Sequence, residues 1–148
     1  MKACTKLLIQ VEEQDLGTAL AGTARWLPGP NREYHVLLNS KHTEAQKLGT
    51  LAHELAHIFC GHLPNKPSVG WWEHRTGLNL ATRELEAEAT AYFVASRMAL
   101  DIGSVSYLAG YLSSNTKLPT YSLEAVLRAA GKVEEMTTKD FRVRKLKQ

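Results

Sequence analysis

His53 and His57, with Glu54 directly after the first, are the residues of this sequence best placed to do chemistry. Side chains four apart on a helix are neighbours on one face, so both imidazoles of His53-Glu54-Leu55-Ala56-His57 can reach a single ion. Glu54 projects beside that pair, where it can take a proton from a water held by the ion. A shuffled chain of this composition would contain the H-E-x-x-H pattern by chance in roughly two of a hundred cases, so its setting has to discriminate. A catalytic zinc takes three protein ligands and keeps one position open for water. The third ligand should come from a carboxylate or histidine further along, and His62, Glu73, His74, Glu84, Glu86 and Glu88 are the candidates.

The elements that must position these residues follow from local signals. Thr43 with Gln46 three residues later is a capping-box pattern, and Gly61 is a stop, which predicts a helix from about Glu44 to Cys60. Ala45, Leu48, Leu51, Ala52, Leu55, Ala56 and Phe59 form its apolar face and leave the two histidines on another side. A solvated face would favour Lys and Glu there.

A second helix is expected from about Thr82 to Leu100. Arg83, Glu86, Thr90 and Arg97 cluster on one side of it and mark the expected water-facing stripe, which makes Glu86 a solvated carboxylate. Glu88 lies nearly opposite, with Tyr92, Ala95 and Ala99 around it. A carboxylate facing the core is costly unless it is paired or holds a metal. Glu88 is therefore the expected third ligand, and Glu84, one turn earlier at the margin, is the runner-up or a partner to one of the histidines.

Gly22 to Leu27, the turn Pro28-Gly29-Pro30-Asn31, and Glu33 to Asn39 read as strand, turn and strand. Tyr34 to Leu38 is the better strand, and its edge is the expected place for an extended substrate to pair. A third helix is expected after Pro119-Thr120, from Tyr121 to Ala130, stopping at Gly131. These elements make an α+β domain: a small, mainly antiparallel sheet packed with three to four helices, one carrying the histidine motif.

Residues 1–148 fit one domain, and at this length folding buries roughly two thirds of the unfolded chain's surface. The 44% hydrophobic and 22% charged fractions place the chain among globular proteins. The apolar run Leu7-Leu8-Ile9 is too short for a secretion signal, and no run of apolar residues reaches membrane-spanning length. A cytoplasmic protein without membrane contact is the expectation. Cys4 and Cys60 do not form a disulfide framework and are read as reduced thiols. The net charge of +3 says little about partners, although Lys139, Arg142, Arg144, Lys145 and Lys147 concentrate positive charge in a tail from about residue 137. That tail is read first as a solvated end, with nucleic-acid contact as the alternative.

Tyr92, Tyr107, Tyr111 and His74 could donate to a developing oxyanion, yet a core position is the commoner fate of a tyrosine. Cys60 could approach the ion but fits better as a small buried hydrophobe. Trp71-Trp72 could line a cleft or cover the core.

The segment Leu51 to His57, coupled about thirty residues later to Glu84-Leu85-Glu86-Ala87-Glu88-Ala89, resembles the ImmA/IrrE family of metallopeptidases and the related metallopeptidase domain of ArdC-type antirestriction proteins. The likeness covers roughly residues 30–112. It departs from the family pattern at Thr90, where an asparagine is usual, and at Met98-Ala99-Leu100, where the helix usually closes on Leu-Met-Pro. The resemblance implies a compact zincin-like domain from a bacterium, phage or mobile element, and a regulatory zinc endopeptidase that cleaves a protein such as a helix-turn-helix repressor. The stretch before residue 20 is too short for a helix-turn-helix domain, so action on a separate partner, or membership of a longer product, is expected. The expected ligand set is Zn2+ on His53, His57 and Glu88, with Glu54 as catalytic base. The rival from another class is an antirestriction or regulatory binding module that keeps the zinc without turnover. Glu54 discriminates between them, because a structural zinc site has no use for a general base beside an open position.

Overall fold

The computed structural model describes residues 9–27, 34–64, 75–99 and 119–138. Three strands, β1 (Ile9–Gln14), β2 (Gly22–Trp26) and β3 (Tyr34–Asn39), form one sheet, and three helices follow: α1 (Glu44–Phe59), α2 (Leu80–Arg97) and α3 (Leu123–Thr138). The class is α+β, as the pattern of the sequence predicts.

The expected hairpin is present: β2 and β3 pair antiparallel, with Ala24 opposite Val36. The other side of β3 pairs in parallel with β1, Val11 opposite Val36, so the sheet is mixed and runs β1-β3-β2. β3 is thus the central strand and not an edge. The expectation that an extended substrate pairs along Tyr34 to Leu38 fails, because both sides of that strand are already hydrogen-bonded. β1 gives little signal of its own, since only Val11 of Ile9-Gln10-Val11-Glu12-Glu13-Gln14 is buried. Its polar side chains find partners instead: Glu12 meets His35 Nε2 at 2.8 Å across the parallel pair.

A parallel pairing obliges the chain to cross from β1 to the far edge before returning. Asn39, fully buried, holds that crossing. Its side-chain amide donates to the carbonyls of Gly17 at 2.9 Å and Leu20 at 2.8 Å, and its backbone N–H donates to Ala21 at 2.8 Å.

α1 is capped as expected. Thr43 Oγ1 accepts from the Gln46 N–H, and Gln46 Oε1 accepts from the Thr43 N–H. Gly61 takes a positive φ of 78° just past the end, where only glycine is unstrained. Leu55, Ile58 and Phe59 pack against Tyr34, Val36 and Leu38 of the sheet, and Ala91 and Val94 of α2 with Ala129 and Val133 of α3 close the same core.

α3 departs from expectation. It continues through Gly131 to Thr138. A glycine inside a helix costs about 1 kcal/mol, but Val126, Ala129, Ala130 and Val133 keep one buried stripe running across it, and core burial outweighs that local preference. No described helix is long and apolar enough to cross a membrane.

Candidate metal centre

α1 and α2 lie against one another and bring three donor atoms to one point. His53 Nε2 and His57 Nε2 are 3.2 Å apart, and the Glu84 carboxylate spans them, with Oε2 3.1 Å from the first and Oε1 3.3 Å from the second. A tetrahedral ion with bonds of about 2.0–2.1 Å spaces its donors about 3.3–3.4 Å from each other. The two nitrogens stand close to that spacing, and the Glu84 carboxylate reaches both rings, so the three side chains are grouped as the ligands of a small divalent cation would be. These three residues form a group with metal-holding separations throughout.

Glu88, the carboxylate expected among the ligands, is placed one turn further along α2, and its Oε2 meets Nδ1 of His53 at 2.9 Å. It therefore faces the nitrogen that points away from the donor cluster. The two bonds to His53 fix its ring between the carboxylates, and together they hold its pKa up to about 10 against the opposing effect of burial. Bonds from His53 and His57 hold the Glu84 carboxyl well below the ordinary carboxylate range.

The rotation of α2 explains why angle alone points to Glu88. Glu86 and Thr90, expected on the water-facing stripe, are both fully buried. The expectation of a solvated Glu86 is overturned. Arg75 grips it bidentately, Nη2 to Oε1 at 2.7 Å and Nη1 to Oε2 at 2.8 Å. His62 Nε2 meets Oε2 at 2.7 Å and the Ser122 N–H donates to Oε1 at 2.9 Å. Burial raises the pKa of Glu86, yet these partners outweigh it and bring the carboxyl down to about 2. Thr90 satisfies itself by donating to the Glu86 carbonyl at 2.8 Å. Arg75 has no neighbouring motif that would single it out. The usable signal is indirect: a buried glutamate requires a cation, and an arginine between α1 and α2 in the chain is a ready source.

Glu54 is 8% exposed and lies at the floor of a cleft of about 670 Å³. Burial pushes its carboxyl up to about 7 against the pull of His53, with the Glu84 charge adding to the rise and the Ala24 backbone N–H opposing it. A base is most effective when its pKa lies near the working pH. Gly22, Thr23, Ala24 and Arg25 of β2 form the wall of the cleft opposite α2. No further strand covers the outer edge of β2 among the described residues.

The sheet can come this close to α1 because residue 22 is glycine. A Cβ there would meet Thr50 Cγ2 at 2.6 Å and the Leu37 carbonyl at 2.7 Å, and would lie 3.5 Å from Glu54 Cγ. Thr50 can rotate, but the Leu37 carbonyl belongs to the central strand and cannot. Gly22→Ala is expected to cost about 1–3 kcal/mol of stability, as overpacking does, and to lower any activity by moving the β2 wall, with metal content unchanged. Urea unfolding and metal analysis of the purified variant check this; wild-type stability would show that the sheet yields freely.

The match to known families agrees with this geometry. The model of the M78 peptidases, the IrrE N-terminal-like domain, matches residues 4–143. The chain belongs to this family. Neither a curated protein nor a solved structure matches it. Family membership and the His/Glu cluster together make this a metallopeptidase-like domain with side chains suited to a metal ion.

Of the other candidate residues of this IrrE N-terminal-like domain, Tyr92 lies on an exposed flank of α2 beside Phe93. Cys60 is buried against Thr90 and the Ala125 carbonyl, and burial together with the Glu86 charge pushes its thiol up to about 12. Glu73, His74, Trp71, Trp72, Tyr107, Tyr111 and the basic tail Lys139 to Lys147 lie outside the described residues.

Proposed function

We propose that this domain is a zinc-dependent endopeptidase that hydrolyses peptide bonds in an extended segment of a regulatory protein, such as a helix-turn-helix repressor. His53 Nε2, His57 Nε2 and the Glu84 carboxylate hold the ion, and Glu54 is the general base. The observation that carries this reading is the convergence of His53, His57 and Glu84, whose ligand atoms lie within 4.8 Å of one another, with a buried carboxylate, Glu54, on the residue next to His53. When bound, zinc polarises a peptide carbonyl and lowers the pKa of a water toward neutrality.

The chain's own residues do the rest. Glu54 takes the proton of the attacking water and returns it to the departing amine, so its carboxylate is restored at the end of the cycle. The outer edge of β2 offers backbone groups to an extended peptide, which would then run antiparallel to β2 across the cleft with its scissile bond above Glu54. Glu88 keeps the His53 ring turned so that Nε2 faces Glu84. The substrate class follows from the likeness to regulatory members of the ImmA/IrrE group, and cytoplasmic action on a repressor is part of the proposal.

The test is to purify the chain, measure zinc by elemental analysis, and incubate it with a helix-turn-helix repressor encoded beside it, reading fragments by mass spectrometry. About one zinc per chain and chelator-sensitive cuts at defined bonds are expected. One zinc per chain with an intact repressor that nonetheless binds tightly would favour the binding-module reading, and no zinc after supplementation would remove the metal centre altogether.

A further inference from the structure

Behind His57 lies a chain of buried polar groups that the proposed chemistry leaves without a role. His57 Nδ1 meets His62 Nδ1 at 2.9 Å, and His62 Nε2 meets Glu86 Oε2 at 2.7 Å. Glu86 is clamped by both Nη atoms of Arg75 and by the Ser122 N–H. Arg75 Nη1 also donates to the Cys60 carbonyl at 3.1 Å, at the end of the helix that carries His57. His62 and Glu86 are 2% and 0% exposed, so bulk solvent reaches neither.

Cys60, His62 and Glu86 are spaced as a second metal group could be. Their partners argue against it. Both oxygens of Glu86 already serve the guanidinium, and a cation placed there would face Arg75 directly.

The protons in this chain can be assigned from what each atom is able to do. The Glu86 carboxylate, paired with Arg75, only accepts hydrogen bonds. The proton between it and His62 is therefore on Nε2. A neutral imidazole protonated at Nε2 has its lone pair on Nδ1, so the proton between the two rings belongs to His57 Nδ1. That leaves the lone pair of His57 on Nε2, the nitrogen that faces His53 Nε2 and Glu84.

We propose that His62, Glu86 and Arg75 are positioning residues that fix the tautomer and ring orientation of His57 so that Nε2 is always the ligating nitrogen. This rests on the reading of His57 as a metal ligand. The two histidines are thus supported differently. His53 relies on the partly exposed carboxylate of Glu88, while His57 relies on a buried relay that joins the end of α1, Arg75, α2 and the start of α3. His62 is a poor choice for a third ligand for the same reason: both of its nitrogens are committed to holding other side chains.

Two measurements on the full chain test this. In two-bond 1H–15N spectra of wild-type protein labelled on histidine, His62 should appear as the Nε2–H tautomer and His57 as Nδ1–H, with the His57 Nε2 signal moving when zinc is added. The His62 tautomer is readable whether or not zinc binds, so failure of the metal reading and failure of the relay are separable. An Nδ1–H tautomer at His62 overturns the proposal. In competition with a chelator, His62→Phe should hold zinc about ten- to a hundredfold more weakly, the usual effect of removing a group that orients a ligand. His62→Gln, whose amide can donate to Glu86 and accept from His57, should recover most of that loss. If His62→Phe does not fold, His62→Gln against wild type and the tautomer spectrum decide. Equal zinc affinity in folded His62→Phe and wild type, or a Gln variant no better than Phe, overturns the relay.

Discussion

Glu54→Gln should retain zinc and the fold while cleavage falls by about a hundred- to ten-thousandfold, the span that positioned proton transfer usually contributes. The amide is nearly the same size, so the packing of the cleft floor is kept, and its carbonyl oxygen can still accept from the Ala24 N–H. What it cannot do is take a proton from water and give it to the leaving amine. Glu54 makes no bond to the donor cluster that zinc retention should require, because the three convergent groups are His53, His57 and Glu84. Turnover of a verified substrate with metal content measured on the same sample checks the prediction. Unchanged turnover would place the base elsewhere, and loss of zinc would make Glu54 a ligand.

The second large effect is an order between two neighbouring glutamates. Glu84→Gln should weaken zinc retention by more than about a hundredfold, whereas Glu88→Gln should fall within the ten- to hundredfold typical of a residue that only orients a ligand. Glu84 lies within 3.3 Å of both Nε2 atoms, and Glu88 meets His53 on the opposite nitrogen. In the proposed site, replacing Glu84 would remove a charged donor from the cation itself. Replacing Glu88 leaves an amide oxygen that can still accept from the Nδ1–H of His53. Zinc titration against a chelator gives the order directly, and the reverse order would make Glu88 the ligand.

The contrast between those two residues shows what is legible without coordinates. α1 is readable because its signals are local: Thr43 and Gln46 satisfy each other's backbone groups, Gly61 alone suits the φ that ends the helix, and the His53–His57 spacing needs nothing beyond helical geometry. The β2–β3 hairpin is readable for the same reason. The rotation of α2 is not, because a polar stripe shows which residues differ from the core in type and not which have found partners. Glu86 is an interior residue only because Arg75, His62 and Ser122 reach it from three other parts of the chain. Gly131 is a stop signal taken by itself, and becomes helix interior only because Val126 and Val133 share a buried face on either side of it. β1 gives almost no hydrophobic alternation, and its place is set by a pairing with β3 that no local pattern contains.

That pairing also sets an order of assembly. β2 and β3 can meet through a short connection, with Trp26 opposite Tyr34, while β1 must find the same strand across a separation that places Ile9 opposite Tyr34. Closing the longer loop costs more chain entropy, so the hairpin is expected to form first and β1 to dock later. Until it does, the backbone of Tyr34 to Asn39 lies open along one side, in the part of the sheet richest in branched residues. An open strand of that kind is a template for any other extended chain. Once docked, the largely polar β1 closes that side of β3, so beyond the place of Val11 in the core its pairing leaves the central strand no free backbone for a second molecule.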